Sequence, residues 1–289
     1  MNRLTFGIVL LLGVGLFLFV FNYARNQSAV EQPAPRPTAL PRKLGQATER
    51  KSNLATHSVL ATLWMQRSGE AMALCYQAYS LAKLRLDEAL KAKSAPKSKP
   101  KAIVVDVDET VLDNSLYQGK LIKQDTTHPA HWDEWCSLAL AKPVPGAAEF
   151  LNYAKSKNVE VFYITNRGEN LREATLRNFR SAGFPFADSA HLLMRTDTPS
   201  KEARRQLVAE KFNIVLLCGD NLNDFSDVFE RKPEATRNEE VERLKNEFGK
   251  RFIVLPNPMY GDWEYAIVGY DKMADTTCAR KRLEAIMAY

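Results

Sequence analysis

Five short stretches of this chain are continuously apolar, and this feature restricts the fold more than any other. They span residues 102–105, 159–164, 191–194, 214–218 and 252–255. Strands without polar alternation are buried on both faces, which is typical of a parallel sheet covered by helices on both sides. Helical stretches separate the five runs along the chain. The pattern therefore predicts an α/β fold with a doubly wound parallel sheet.

The region before the first strand has the spacing of an amphipathic helix. Residues 53–94 contain no proline and one glycine, and apolar residues recur at intervals of three or four, beginning with Leu60 and Trp64. This spacing predicts one long helix or two helices in succession, ending before Pro96.

The first 47 residues differ from the rest of the chain. Residues 4–21 are eighteen consecutive residues without a charge, close to the roughly 20 apolar residues that a helix needs to cross a bilayer. No small-x-small cleavage pattern follows, so we predict an uncleaved signal anchor in residues 1–24, with a cleaved signal peptide as the alternative. Four prolines between residues 31 and 42 predict an extended linker over residues 25–47, which leaves residues 48–289 for the folded domain.

The net charge of +6 is unevenly distributed along the chain. Residues 1–47 hold five basic residues and one acid, so the remainder is nearly balanced, with 35 basic and 33 acidic residues. A nucleic-acid-binding domain needs a basic surface to neutralise phosphates. The composition therefore argues against a nucleic-acid polymer as a partner of the folded part.

The cysteines give little support to a metal site. There are four of them, and none forms a Cys-x-x-Cys pair, so their spacing is not that of structural zinc. Cys218 ends an apolar run and is interpreted as a small buried hydrophobic residue. The sequence leaves open whether one disulfide forms.

Polar and acidic residues follow three of the predicted strands at the point where each strand ends. Asp106 and Asp108 follow the first strand, Thr165 follows the second, and Asp220 and Asp224 follow the fourth. Ligands of open α/β sheets bind outside the carboxyl ends of the strands. We therefore expect these side chains to converge on one site.

The residue types in these clusters point to phosphate chemistry. Neighbouring carboxylates repel one another unless a cation neutralises them, and oxygen ligands without His or Cys favour Mg²⁺. One carboxylate can then attack a phosphoryl group while its neighbour transfers a proton. Lys201 can pair with the phosphoryl oxygens, and the preceding Thr198-Pro199-Ser200 predicts a helix that begins at Pro199 and holds Lys201 in its first turn.

Two other functions fit parts of this pattern. Some glycosyltransferases use Asp-x-Asp to bind a metal-coordinated nucleotide diphosphate, but that function leaves Thr165 and Lys201 without a role. A degenerate, non-catalytic module that binds a phosphate ligand is the other alternative, and the presence of both Asp106 and Asp108 argues against it. Substrate turnover, and a requirement for a nucleotide-sugar donor, distinguish the three functions.

Four segments of the chain form a set of motifs, namely Asp106-Val-Asp-Glu-Thr-Val-Leu-Asp-Asn114, Thr165-Asn-Arg167, Gly219-Asp-Asn-Leu-Asn-Asp-Phe225 and Asn257-Pro-Met-Tyr-Gly-Asp-Trp-Glu264. Taken together, these segments resemble the motifs of the haloacid dehalogenase (HAD) superfamily of phosphohydrolases. In their detailed form they are similar to the class C nonspecific acid phosphatases, which include 5'-nucleotidase surface lipoproteins. The resemblance extends over residues 50–289.

The resemblance implies a nucleophile, an acid–base residue and a metal site. Asp106 would form an aspartyl phosphate, and Asp108 would protonate the leaving alcohol and then activate water. One Mg²⁺ per active site would be held by the Asp106 carboxylate, the Asp108 backbone carbonyl and Asp220, with Asp224 ligating or orienting nearby. Glu109 stands where the wider superfamily has glycine, a substitution shared with the class C enzymes.

The resemblance also implies residues that contact the substrate. Thr165, Asn166 and Lys201 would bind the phosphoryl oxygens. Aromatic side chains over the cleft of such enzymes stack on the organic part of the substrate, and the candidates here are Trp132, Trp135 and Tyr260. The three-residue spacing of the two tryptophans is equally consistent with a place in the core.

Substrate class and location follow from the same resemblance. The expected substrates are small phosphomonoesters, with 5'-nucleotides as candidates, and the N-terminal helical segment is expected to contribute to a small cap. Related enzymes are commonly lipoproteins attached through an N-terminal cysteine, whereas the first cysteine of this chain is Cys75. We therefore expect a domain exported to the periplasmic side, tethered to the inner membrane by its N-terminal segment or released by cleavage, with a homodimer as a candidate assembly.

Overall fold

The computed structural model describes residues 54–91 and 98–289. The predicted signal anchor, the linker and the domain boundary at residue 48 lie outside these ranges. Within them, no helix combines the length and the apolar character needed to cross a membrane.

Within the described residues, seven strands form a five-stranded sheet and a two-stranded ribbon. They are β1 (Lys101–Val105), β2 (Leu112–Asp113), β3 (Lys142–Pro143), β4 (Glu160–Gly168), β5 (Leu192–Arg195), β6 (Asn213–Gly219) and β7 (Phe252–Val254). The large sheet has the order β5-β4-β1-β6-β7, and each neighbouring pair is parallel. The ribbon pairs β2 with β3 in antiparallel orientation. All five strands expected from the apolar runs are present, which confirms the predicted α/β fold.

Ten α-helices flank the sheet in the part of the chain that the structure describes. They are α1 (Val59–Arg67), α2 (Gly69–Lys91), α3 (Ser115–Gln124), α4 (Trp132–Leu138), α5 (Ala147–Ser156), α6 (Arg172–Ser181), α7 (Glu202–Lys211), α8 (Glu234–Arg243), α9 (Asp262–Val268) and α10 (Asp275–Glu284). Short 3₁₀ helices lie at Leu54–Ser58, Glu169–Leu171, Leu222–Asp224 and Asp227–Phe229.

The large sheet separates two hydrophobic clusters. Along β1, Ile103 and Val105 pack into one cluster, and Ala102 and Val104 pack into the other. Each of these side chains is buried, and full burial of a Val or Ile side chain stabilises a fold by about 1.5–3 kcal/mol. Burial on both faces is the physical reason that the strand is continuously apolar, as the sequence predicted.

The N-terminal helical segment comprises α1 and α2, which are separated at Ser68, so of the two predicted alternatives the structure has two helices in succession. The segment packs on the loop that follows β1. Gln66 Nε2 donates to the carbonyl of Ser115 (2.7 Å), and the buried Tyr79 hydroxyl donates to the carbonyl of Thr110 (2.5 Å). The segment therefore supports the backbone that carries the first acidic cluster.

All four cysteines are free thiols. The disulfide that the sequence left open is therefore not formed. Burial raises the pKa of Cys218 to about 12, so its thiol stays neutral. Cys218 packs in the hydrophobic cluster that contains Ile103 and Val105, as its place in an apolar run predicted.

Candidate active site

The carboxyl ends of β1 and β6 bring three aspartates together. The amide of Asp106 donates to the carbonyl of Cys218 (2.9 Å), so the pairing of the two strands continues into the loops that follow them. Carboxylate oxygens of Asp106, Asp220 and Asp224 all lie within 4.8 Å of one another. The predicted convergence of these strand ends is therefore observed.

Lys201 reaches this cluster from the start of α7. Its Nζ donates to Asp106 Oδ1 and to Asp224 Oδ1, the latter at 2.6 Å, and the lysine is 6% exposed. The prediction that Pro199 begins the helix is wrong, because α7 begins at Glu202 and Lys201 is its N-cap residue. Lys201 is therefore held at the helix N-terminus rather than within the first turn.

The cluster contains more negative charge than its single ammonium group can balance. The pKa of Asp106 is raised to about 7, chiefly by burial; Lys201 acts against this rise, and the nearby Asp224 and Asp108 add to it. Burial, with Asp106 and Asp224 beside it, also holds the pKa of Asp220 well above its ordinary value. Burial acts against the charged form of Lys201, but the two carboxylates that it contacts outweigh this effect and raise its pKa.

This donor set fits a hard divalent cation. Three carboxylates, each with an oxygen available within 4.8 Å of the others, supply the oxygen ligands that Mg²⁺ prefers. A bound cation would also remove the repulsion that raises the pKa of Asp106 and Asp220. The site is thus chemically suited to a metal ion.

Hydrogen bonds orient Asp220 through both of its carboxylate oxygens. Thr110 Oγ1 donates to Oδ1 (3.0 Å) and Asn257 Nδ2 donates to Oδ2 (2.8 Å). Because Tyr79 bonds the Thr110 carbonyl, the N-terminal helical segment is linked to this carboxylate. Thr110 and Asn257 lie in the sequence motifs, but sequence reasoning gave neither of them a role.

The backbone at Gly219 lies directly against Asp224. A Cβ at position 219 would lie 2.5 Å from Asp224 Oδ2 and 2.7 Å from its Cγ, well inside van der Waals contact. The same Oδ2 accepts a hydrogen bond from the amide of Asn221 (3.0 Å), and Asp224 is buried. Glycine is therefore required here by close approach.

We expect Gly219→Ala to weaken the acidic cluster. The added methyl must displace the Asp224 carboxylate, which should lower the free energy of unfolding by about 1–3 kcal/mol and reduce the affinity of the cluster for a divalent cation. Chemical denaturation and isothermal titration calorimetry measure the two effects. Gly69→Ala is the matched control, since a Cβ at that position would meet nothing within 4 Å beyond its chain neighbours and its own helix backbone. Unchanged divalent-cation affinity in Gly219→Ala would contradict the close packing of Gly219 against Asp224.

Asp108 does not join the carboxylate cluster with its side chain. Its Oδ1 accepts hydrogen bonds from Arg167 Nη2 (2.8 Å), Arg167 Nε (3.0 Å) and Asn114 Nδ2 (2.9 Å), and Thr165 Oγ1 donates to its Oδ2 (3.3 Å). Arg167 is 1% exposed. The sequence placed Arg167 in a motif but assigned no function to it.

Glu109 is held in a conformation that few non-glycine residues adopt. Its φ is +64°, in the left-handed region, which explains why glycine suits this position in the wider superfamily. Its buried carboxyl accepts hydrogen bonds from the Asn114 amide (2.8 Å) and from the Tyr260 hydroxyl. Burial, with Asp108 and Asp220 nearby, holds the pKa of Glu109 well above its ordinary value.

The predicted aromatic residues have different environments. Tyr260 bonds Glu109 and so lies beside the acidic loop. The Trp132 ring lies 5.6 Å from the Arg167 guanidinium carbon, beside the Asp108 side of the site. Trp135 supports Asn114, because its indole Nε1 donates to Asn114 Oδ1 (2.7 Å).

Two of the residues predicted to bind phosphoryl oxygens, Thr165 and Asn166, also differ in burial and in contacts. Thr165 is completely buried and contacts Asp108, and it lies within β4 rather than after it as predicted, whereas Asn166 is exposed. Asn166 Oδ1 accepts a hydrogen bond from Arg204 Nη2 (2.8 Å), and Arg204 Nη1 also donates to the Thr165 carbonyl (2.5 Å). Arg204 thus fixes this part of β4 relative to α7, a role that its ordinary helical context in the sequence did not indicate.

Enzymes that transfer phosphoryl groups use carboxylates and a lysine in the active site, and here these groups lie together at the ends of parallel strands. A comparison with family sequence profiles supports this class: the profile of the HAD superfamily, subfamily IIIB (Acid phosphatase), matches residues 41–263. Since this is most of the chain, the protein belongs to that family. It is a phosphoric monoester hydrolase, and the two non-phosphatase alternatives are set aside.

Solved structures support the same assignment. The class C acid phosphatase from Bacillus anthracis is 41% identical, with a TM-score of 0.79, and the match covers 82% of this chain and 99% of the other. A second structure of the class C acid phosphatase from the same organism, with tungstate bound, is 40% identical, with a TM-score of 0.78 and the same coverage. The resemblance to class C acid phosphatases is therefore confirmed.

Proposed function

We propose that this phosphatase is Mg²⁺-dependent and hydrolyses small phosphomonoesters through an aspartyl phosphate on Asp106. The observation that carries the proposal is the buried cluster in which Asp106 contacts Lys201 and lies beside Asp220 and Asp224. A nucleophilic carboxylate needs adjacent positive charge to approach a phosphoryl group. Lys201 supplies part of that charge.

The metal would be held by the carboxylates of Asp106, Asp220 and Asp224, together with the backbone carbonyl of Asp108. When bound, Mg²⁺ would neutralise charge on the phosphoryl oxygens and on the surrounding carboxylates. The orientation of Asp220 by Thr110 supports this assignment, because oriented ligands reduce the cost of binding a metal.

We propose that the reaction proceeds in two steps. In the first, a carboxylate oxygen of Asp106 attacks phosphorus, the bond from phosphorus to the leaving oxygen breaks, and Asp108 gives that oxygen a proton. In the second, Asp108 takes a proton from water as the water attacks the aspartyl phosphate, which releases phosphate and restores Asp106. Lys201 and Thr165 would hold the phosphoryl oxygens, and Asn166 would border them.

The organic part of the substrate would lie between the aromatic residues at the edges of the site. Trp132 and Tyr260 are both half-buried and lie beside Asp108 and Glu109. Their flat faces suit stacking on a planar base, so we propose 5'-nucleotides as substrates. Binding of tungstate, a tetrahedral oxyanion, by the Bacillus anthracis relative is consistent with phosphate recognition at such a site.

We further propose that residues 48–289 form an exported, periplasmic domain that residues 1–24 tether to the membrane through the linker of residues 25–47. The uninterrupted apolar run of residues 4–21 supports this location. We also propose that the protein forms a homodimer.

The full-length chain is expected to release phosphate from para-nitrophenyl phosphate and from nucleoside 5'-monophosphates. A chelator should abolish release, and added Mg²⁺ should restore it, because three mutually repelling carboxylates then regain their cation. Phosphate release that is insensitive to chelation would contradict the metal assignment. Equal rates for nucleoside monophosphates and for alkyl phosphates of similar size would contradict stacking on a base.

A further inference from the structure

The two oxygens of Asp108 have unequal environments. Oδ1 accepts three hydrogen bonds of 2.8, 2.9 and 3.0 Å, from Arg167 Nη2, Asn114 Nδ2 and Arg167 Nε. From the residues that the structure describes, Oδ2 accepts two longer hydrogen bonds, at 3.3 Å each, from Thr165 Oγ1 and Arg167 Nε. Three donors crowd Oδ1, so a proton on that oxygen would displace one of them. Oδ2 is therefore the oxygen that can carry a proton.

Arg167 is itself fixed in place. It is 1% exposed, its Nη1 donates to the buried Thr175 hydroxyl (3.1 Å), and its guanidinium carbon lies 5.6 Å from the Trp132 ring. Among the residues that the structure describes, Asp108 is the one acid paired with it. A buried guanidinium without a partner is costly, so its charge holds the Asp108 carboxylate in this orientation.

We infer that Arg167 is a positioning residue for phosphoryl transfer, which binds Asp108 through Oδ1 and thereby reserves Oδ2 for the proton that is transferred. This inference rests on the proposed role of Asp108. As the bond between phosphorus and the leaving oxygen breaks, the Oδ2 proton moves to that oxygen, and the negative charge left on Asp108 is stabilised by the guanidinium. In the second step the same oxygen accepts a proton from water.

The planar fork of arginine is essential to this role. Nε and Nη2 bond the same carboxylate together, while Nη1 points away to Thr175. Lysine keeps the charge, but its three N–H donors share one nitrogen, which cannot contact both Asp108 and Thr175. Arg167→Lys is thus expected to recover only part of the function that Arg167→Gln loses.

The test compares substrates that differ in their need for a proton. The alkoxide leaving group of glycerol 2-phosphate requires protonation, whereas the nitrophenolate of para-nitrophenyl phosphate is stable without it. For Arg167→Gln we expect kcat/KM for glycerol 2-phosphate to fall by about 100-fold, with a several-fold smaller loss for para-nitrophenyl phosphate. Asp108→Asn should show the same selectivity, and the double variant should be no worse than Asp108→Asn alone.

Two further variants keep the test decisive. Thr175→Val removes only the Nη1 partner and should give a weaker loss with the same selectivity, even if Arg167→Gln fails to fold. Arg180→Gln on the same helix as Thr175 is the control, because Arg180 is exposed and donates only a 3.5 Å hydrogen bond to Ala187 in the described structure.

The outcomes distinguish failure of this inference from failure of the proposed function. Equal losses for both substrates in Arg167→Gln and Thr175→Val would overturn the inference and leave the phosphatase intact. If the wild-type chain hydrolyses neither substrate, the proposed function itself fails. Circular dichroism on every variant distinguishes these outcomes from unfolding.

Discussion

Replacement of Asp106 by asparagine is expected to lower phosphomonoesterase activity by about 10⁴-fold or more, since the amide cannot form the aspartyl phosphate. Asp106 is the buried carboxylate that contacts Lys201 and lies within 4.8 Å of two other carboxylates, so it is placed to meet a phosphoryl group held by positive charge. Phosphate release under saturating Mg²⁺ measures the loss.

Two controls accompany this variant. Asp271→Asn removes an exposed carboxylate outside the site and should leave activity unchanged. Mass spectrometry after rapid acid quenching should detect a phosphorylated Asp106 in the wild-type chain and none in Asp106→Asn. Near-normal turnover by a folded Asp106→Asn protein would show that another group is the nucleophile.

Replacement of Lys201 by methionine is expected to destabilise the metal-free protein by about 3 kcal/mol, because breaking a buried ion pair leaves uncompensated charge. Lys201 and both of its partners, Asp106 and Asp224, are buried, so water cannot replace the ammonium group. Saturating Mg²⁺ should recover part of this stability by occupying the same acidic cluster. Urea denaturation with and without Mg²⁺ measures both effects.

The cost of Lys201→Met should depend on pH in a defined direction. The pKa of Asp106 is raised from 3.8 to about 7, so its protonated form stabilises the fold below about pH 4, and that contribution is lost as the pH rises through 7. Lys201 lowers that pKa, so without it the loss should continue to higher pH and be largest above pH 7. Lys211→Met, at an exposed position, is the control. An effect of Lys201→Met that is independent of pH would contradict the coupling.

The fold was largely predictable because its signals are local. The run at residues 102–105 is apolar at consecutive positions, and the structure shows why: alternate side chains enter clusters on opposite faces of β1. The start of α7 was less predictable. Pro199 is suited to the first turn of a helix, but the chain continues as a loop to Lys201. The Lys201 side chain then reaches Asp106.

The candidate site was predictable only in part. Acidic residues that directly follow strands were expected to meet, since neighbouring parallel strands end at the same edge of a sheet, and Asp106, Asp220 and Asp224 do meet. The partner of Asp108 was not predicted. Arg167 lies 59 residues away, and no spacing rule links a guanidinium to a carboxylate over that distance.

The sequence by itself determined the parallel sheet, the edge at which the site lies and the acidic character of that site, because these depend on apolar periodicity and on the residues that follow each strand. Only the tertiary structure decided how each carboxylate is used. Asp106 contacts Lys201, which is 95 residues away, while Asp108, two residues further along the chain, turns to Arg167. The backbone turn at Glu109 and two buried partners, Lys201 at the start of α7 and Arg167 on β4, fix that difference, and such partners are specified only once the chain has folded.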